Sequence, residues 1–457
     1  MFDVINPATG ERLYTFEEDH AASLQQKMIQ LQKAQPGWYA AGLSHRLEVL
    51  SRFRDLLEST LEEGARILTA ETGKPIRQSR NEIQGARSRI RWMLDNAGKY
   101  LADEMMYEAE GLQEMIRYEP LGVVGNISAW NYPYLVGVNV IVPALLAGNA
   151  VMYKPSEYAT ATGQHILFLL YQAGVPQDVI QLAAGGKTTG EALLDLPLNG
   201  IFFTGSYATG HAVYQRVAPR LIPCQLELGG KDPLYVADDV QDIQAVAAAV
   251  ADGAFYNNGQ SCCAVERIYV QEKIADAFIN AFVAEVKTYR QGDPLAEETY
   301  LGALTRPAQL RLLEDQVRDA LAGGALLACG GKRVAGNGNF FEPTVLTQVN
   351  HSMRVMREES FGPIIGIMSV SSDDEALQWM NDTEYGLTAA VYTASAARAQ
   401  YIMGGVHTGT VYWNCCDRVS AALPWSGRKH SGIGATLSHQ GLRAFAQTKA
   451  FHRRLPA

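Results

Sequence analysis

The chain has 457 residues, 47% hydrophobic and 19% charged, enough apolar material for about three domains with buried cores. Lys and Arg total 39 against 48 Asp and Glu, a formal net charge of -9, and the basic residues are dispersed among the acidic ones. That distribution argues against nucleic-acid binding and against a polybasic membrane anchor.

The opening MFDVINPATGERLYTFEEDH lacks both the basic flank and apolar core of a secretory leader and the arginine-rich character of a mitochondrial one. The first hundred residues read mainly as helices. DHAASLQQKMIQLQKAQPGWYAAG and LSHRLEVLSRFRDLLESTLEEGARILTAETGKP repeat apolar residues near a 3.6 period, and Gly73 and Pro75 end the second run. From Met105 to Asn126 the text changes to short strand-like runs around Gly111 and Pro120, as expected of an exposed hairpin with edges to offer another subunit.

From Val123 to Pro219 strand text alternates with helix text: VVGNISAW, YLVGVNVIVPALLAG, NAVMYKP, ATGQHILFLLYQAG, VIQLAA, TGEALLDLP, GIFFTGS, GHAVYQRVAP. This succession predicts βαβ units around a mostly parallel sheet, whose ligands bind beyond the carboxyl ends of its strands. The tract YLVGVNVIVPALLAGNAVMY approaches membrane length, but Asn139, Pro143, Gly148 and Asn149 interrupt it, and a buried helix followed by a strand accounts for it better. A second α/β segment runs from about Leu226 to Arg418, with helices in DIQAVAAAVADGAFY and KIADAFINAFVAEVKTYR and strands in RIYV, ALLACGG and IIGIMSV. Within it, GGKRVAGNGNFFEP reads as a surface turn anchored by Phe340, Phe341, Glu342 and Pro343.

Three marked stretches fall at strand ends. FTGS, followed by the helix that starts near His211, offers free backbone N–H groups to an anion, although it matches neither a phosphate loop nor GxGxxG and by itself reads more readily as a tight glycine turn. YKPSE presents Lys154 and Glu157, suited to ribose hydroxyls or simply to the start of a helix. AWNYP presents the amide of Asn131. Further on, LELGGK buries Glu227 among apolar neighbours, where it serves either as a general base of raised pKa or as a paired structural carboxylate.

The segment YNNGQSCCAVERIYV sets Cys262 and Cys263 side by side. Adjacent cysteines make poor intrachain disulfides, and the six cysteines of the chain form no CxxC. A zinc site is not expected, and a reduced, cytoplasmic compartment is. Attack on a carbonyl needs a thiolate, an oxyanion donor and a base for water, all of which these residue types supply.

Taken together, FYNNGQSCCA, LELGGK, AWNYP, YKPSE, FTGS, EESFGP and PWSGRKHSGIG resemble the aldehyde dehydrogenase superfamily, from INPATGE to the closing GLRAFAQTKAF. The resemblance implies an α/β fold: a modified Rossmann cofactor domain (1–104 and 122–229 with 424–440), a catalytic domain (230–423) and a small β extension for oligomerisation (105–121 and 441–457). It implies that the cysteine of GQxC, Cys262, is the nucleophile, that Asn131 and the backbone N–H of Cys262 hold the oxyanion, and that Glu227 is the base. It assigns Lys154 and Glu157 to the adenosine ribose, Gly205 and Ser206 to the pyrophosphate, and Glu359, Phe361 and Trp130 to the nicotinamide end. The implied cofactor is NAD, with NADP as a second choice, and the implied assembly is a homodimer or homotetramer. The implied reaction is oxidation of a small-molecule aldehyde to an acid through a thiohemiacetal and a thioester. A CoA-acylating variant commonly lacks the Glu227 base, and a non-catalytic structural homologue would have no use for the three groups. The N-terminus is short by family standards, so the first strands are expected to be trimmed.

The same resemblance bears on substrate. Succinate-semialdehyde members usually carry an arginine eight positions beyond the catalytic asparagine, and this chain has Asn139 there. That departure counts against such a substrate, because an unpaired buried carboxylate is costly. Arg418 is a possible substitute from the C-terminal side, while Tyr134, Tyr256 and Trp413 suit an aliphatic, aromatic or cationic aldehyde instead.

Overall fold

A computed structural model of the protein describes residues 1–456. Its centre is a six-stranded sheet in the order Gly432–Ile433, Cys224–Glu227, Gly200–Thr204, Val123–Ile127, Ala150–Lys154, Ile180–Leu182. All neighbours are parallel except the antiparallel pair Gly432–Ile433 with Cys224–Glu227. The crossover helices Pro133–Leu146 and Thr160–Ala173 are buried along most of their length, which is why their sequences read as continuous apolar runs and not as amphipathic stripes. The membrane-length tract is the first of these helices plus the strand Ala150–Lys154, and among the described residues no helix is long and apolar enough to cross a membrane.

The second sheet has seven strands in the order Leu326–Cys329, Thr344–Thr347, Ile364–Val370, Val265–Gln271, Asp232–Val236, Thr388–Tyr392, Thr410–Trp413, parallel but for the first. Four of these strands, Asp232–Val236, Thr344–Thr347, Thr388–Tyr392 and Thr410–Trp413, go beyond the sequence reading: each is only four or five residues long, too short for a decisive period. Phe341 is 1% exposed and anchors the Gly/Asn-rich turn, while Phe340 is only half-buried.

The expected hairpin is Glu104–Ala109 with Leu112–Pro120, and a third strand, Ala446–Arg454, pairs along the whole of the latter. At the N-terminus Phe2–Ile5 and Arg12–Phe16 form an antiparallel pair that the sequence reading did not pick out, because alternation over four or five residues is easily lost beside long helical runs. The helix Ile76–Tyr100 then runs for 25 residues past Pro75, which starts it as readily as it ends the helix before. It packs against Pro133–Leu146, and this pairing builds one wall of the site.

Candidate active site

The NNG preceding the two cysteines forms a left-handed coil. Asn257, Asn258 and Gly259 have φ of 54°, 58° and 69°, conformations that Asn and Gly tolerate and most residues resist. The coil turns the chain sharply between the helix Ile243–Phe255 and the strand Val265–Gln271, leaving Cys262 partly accessible and Cys263 buried. Gln78 on the long helix accepts the Asn257 N–H at 2.9 Å and fixes the coil from outside.

Asn131 is 6% exposed, and its Nδ2 donates to the carbonyl of Gln260 at 3.1 Å, two residues before Cys262. Its own carbonyl accepts from Asn257 Nδ2 at 3.1 Å and from Lys74 Nζ at 2.7 Å. Lys74 in turn pairs with Glu82, and the other oxygen of Glu82 accepts the Tyr134 N–H at 2.8 Å. A buried ion pair thus clamps both ends of the Asn131–Tyr134 turn, with the Tyr132 ring 3.9 Å from the ammonium. Neither Lys74 nor Glu82 was legible as a site residue. Only the GKP that marks a helix boundary draws attention to Lys74.

The two cysteines differ in environment. Cys263 donates to Asp417 Oδ1 at 3.0 Å, and its pKa is held well above the ordinary thiol value, first by its hydrogen bond with Cys262, then by burial and the Asp417 charge. It stays a thiol. Asp417 is itself raised to about 6 by burial.

Glu227, at the end of its strand, is 8% exposed, and burial raises its pKa to about 7, against the opposing pull of a Thr436 hydrogen bond and the Arg89 charge. Thr436 Oγ1 and Gln225 Nε2, the latter at 3.2 Å, both donate to Glu227 Oε1. The alternative of pairing with a lysine does not occur. Lys231, four residues on, pairs with Glu266 at 2.7 Å instead.

At the carboxyl ends of the six-stranded sheet stand the other expected groups. Lys154 is 5% exposed, its ammonium pKa lowered by burial, and its one hydrogen bond is a long 3.4 Å contact to the Pro155 carbonyl. Glu157, three residues on, accepts only from Ser156 at 3.2 Å. Ser206 caps the helix Tyr207–Val217, accepting the Thr209 N–H, and Gly205 leaves room for the Phe203 ring. Glu359 lies against the two glycines of LELGG: Gly230 N donates to it at 3.0 Å, and a side chain at 229 would collide with its carboxylate. Burial, then the nearby Glu266 charge, raises Glu359 to about 8. Phe361 meets Trp130 edge-on, centroids 5.5 Å apart. A strongly under-bonded ammonium, two carboxylates with spare lone pairs, a helix N-terminus and two partly open rings are the partners a dinucleotide requires.

Of the residues set aside for substrate, Tyr134 is removed from the site: it is 0% exposed and its hydroxyl meets His165 Nδ1 at 2.7 Å. Tyr256 is partly accessible and accepts from Asn81 at 3.1 Å, while Trp413 and Arg418 are exposed. Among the described residues no cluster of His, Cys, Asp or Glu is arranged to hold a metal, and all six cysteines are free.

A largely parallel sheet is thus joined to a second α/β sheet, and Asn131 from the first meets the cysteine loop that leads into the second. The aldehyde dehydrogenase family pattern matches residues 1–451, and the chain belongs to that family. It is 35% identical to the succinate semialdehyde dehydrogenase [NAD(P)+] Sad of Escherichia coli over 96% of this chain and 95% of that one. It is 32% identical to a betaine aldehyde dehydrogenase of Cereibacter sphaeroides over 98% and 93% of the two chains. The NAD-dependent aldehyde dehydrogenase of Sinorhizobium meliloti superposes with a TM-score of 0.96 at 31% identity, covering 100% of this chain and 92% of that one.

Proposed function

We propose that the protein oxidises an aldehyde to a carboxylic acid with NAD(P), using Cys262 as nucleophile, Asn131 as oxyanion donor and Glu227 as general base. The observation that carries this reading is the tie between Asn131 Nδ2 and the Gln260 carbonyl, which sets a side-chain amide beside the Cys262 loop. One N–H of that amide is occupied and the other is available to a developing oxyanion.

Cys262 attacks the aldehyde carbon to form a thiohemiacetal, and the oxyanion is held by the Asn131 amide and the backbone N–H of Cys262. NAD(P), when bound, supplies the acceptor for the hydride that leaves this carbon, and Cys262 then carries a thioester. Glu227, with a pKa of about 7, is ionised in a large fraction of molecules at neutral pH and takes a proton from the attacking water. Cys262 leaves as the thiol and the acid is released. Lys154 and Glu157 would hold the adenosine ribose, Gly205 and Ser206 the pyrophosphate, and Glu359, Phe361 and Trp130 the nicotinamide end.

In this reading residues 1–104 and 122–229 with 424–440 form the cofactor domain and 230–423 the catalytic domain. Segments 105–121 and 441–457 form an extension whose open edges, Glu104–Ala109 and Ala446–Arg454, suit pairing in a homodimer or homotetramer. Six unpaired cysteines suit a reducing, cytoplasmic compartment. The test is NADH formation at 340 nm with a panel of aldehydes: turnover that depends on both aldehyde and NAD supports the assignment, and its absence across the panel refutes it.

A further inference from the structure

Asn139 stands where an arginine would receive a substrate carboxylate. In the fold, a positive charge reaches that position from another element. Arg89, on the helix Ile76–Tyr100, donates from Nη1 to Asn139 Oδ1 at 3.1 Å, and Asn139 is 2% exposed in the facing helix Pro133–Leu146. The amide at 139 is therefore an acceptor that steadies a guanidinium supplied by its neighbour.

Arg89 belongs to the same cleft as the proposed chemistry. Burial lowers its pKa, opposed first by the Glu227 carboxylate, with Glu82 and the Cys262–Cys263 pair also nearby. Arg89 is only partly exposed. Among the described residues no carboxylate oxygen lies within 4.0 Å of the guanidinium.

The nearby acids are engaged elsewhere. Glu82 is taken by Lys74 and the Tyr134 N–H, Glu227 by Thr436 and Gln225, and Asp417 by the Cys263 thiol. An arginine stays protonated even when desolvated, and its fork offers five N–H donors, of which Asn139 uses one. A desolvated guanidinium without a carboxylate is expensive for a protein to keep, and a ligand carboxylate is the partner whose planar, bidentate geometry matches it. A cationic aldehyde, in contrast, would meet Arg89 as a like charge.

We propose that Arg89 is a specificity-determining residue of the substrate cleft, and that the aldehyde it selects carries a carboxylate at the end remote from the carbonyl. This rests on the aldehyde-oxidising reading above and narrows it. Asn139 acts as a positioning residue for the guanidinium, so its identity does not disfavour a semialdehyde acid.

The experiment compares kcat/KM for succinate semialdehyde with that for its methyl ester, which has the same aldehyde without the charge, and for betaine aldehyde, at fixed ionic strength. The wild-type enzyme is expected to prefer the acid over the ester by at least about tenfold, mainly through KM. In Arg89→Gln the acid-to-ester ratio should fall by about 100-fold, the scale of removing one partner of a desolvated charge pair. Arg89→Lys should restore part of the ratio through charge without the fork.

A wild-type enzyme that uses acid and ester equally, or that prefers betaine aldehyde, overturns the inference without reference to any variant. So does an Arg89→Gln enzyme that binds NAD and loses efficiency equally on acid and ester, since that is the behaviour of a structural arginine. Turnover of the ester with NAD leaves the aldehyde-oxidising reading standing in either case. Inertness toward all three aldehydes and the wider panel overturns both.

Discussion

Thr436 donates its hydroxyl to the carboxylate of Glu227, which is buried at the end of its strand and accepts also from Gln225. A hydrogen bond to the ionised form lowers a pKa and burial raises it; here burial wins, and the value settles at about 7. Water activation requires the ionised carboxylate, so hydrolysis of the thioester should accelerate as pH rises through about 7. Thr436→Val removes the opposing donor, raises the pKa further and moves that limb to higher pH. Single-turnover acid release measured against pH checks both statements, and a limb that stays in place in the variant would contradict the assigned pairing. Stability carries the other sign: the folded state binds this proton more tightly than the unfolded chain, whose value is 4.5, so stability from Glu227 is full below that pH and is lost as pH rises through about 7.

The asymmetry of the vicinal cysteines gives a second prediction. Cys262→Ala should abolish aldehyde oxidation while NAD still binds, and Cys263→Ala should retain a sizeable fraction of activity, because Cys263 is a buried thiol committed to Asp417. Intact-protein and peptide mass spectrometry with aldehyde and NAD should find the acyl adduct on Cys262. An adduct confined to Cys263 would reverse the assignment.

Lys74 and Glu82 form a buried ion pair at the back of the Asn131 turn. Lys74→Met leaves a buried carboxylate unpaired and should cost about 3–5 kcal/mol, read as a lower denaturant midpoint. The double variant Lys74→Met, Glu82→Leu should recover much of that stability and yet remain slow in kcat, since the Asn131 carbonyl then keeps only the Asn257 amide of its two donors. Stability and turnover that recover together would show the pair to be structural only.

Cofactor choice follows from Glu157, whose carboxylate accepts only the Ser156 hydroxyl and so has lone pairs free for ribose hydroxyls. NAD should exceed NADP in kcat/KM, because a 2′-phosphate meets like charge there. Glu157→Ser should move the ratio toward NADP, and a wild-type enzyme that prefers NADP would overturn the contact.

How far the sequence carries this protein differs from residue to residue. The alternation between Val123 and Pro219 is enough to specify a parallel sheet, because buried strands and their crossover helices impose distinct lengths and periods on the chain. Motif order singled out Cys262, Asn131 and Glu227 as the proposed nucleophile, oxyanion donor and base, and the fold sets the Asn131 amide beside the Cys262 loop. The strands Phe2–Ile5 and Arg12–Phe16 escaped notice because four or five residues leave no stable period to read.

The partners of Tyr134, Lys74, Thr436 and Arg89 were decided by tertiary structure alone. Tyr134 follows Asn131 closely, yet the helical turn points it into the core toward His165. Thr436 lies 209 residues from Glu227, and Arg89 lies 50 residues from Asn139 on a helix whose own text is only amphipathic. Periodicity tells which face of an element is buried, but not which element it is buried against. A charge on one helix reaches an amide on another only once packing has set their relative rotation, so the sequence determined what kind of reaction the site is equipped for, while the packing of Ile76–Tyr100 on Pro133–Leu146 decided where the positive charge stands.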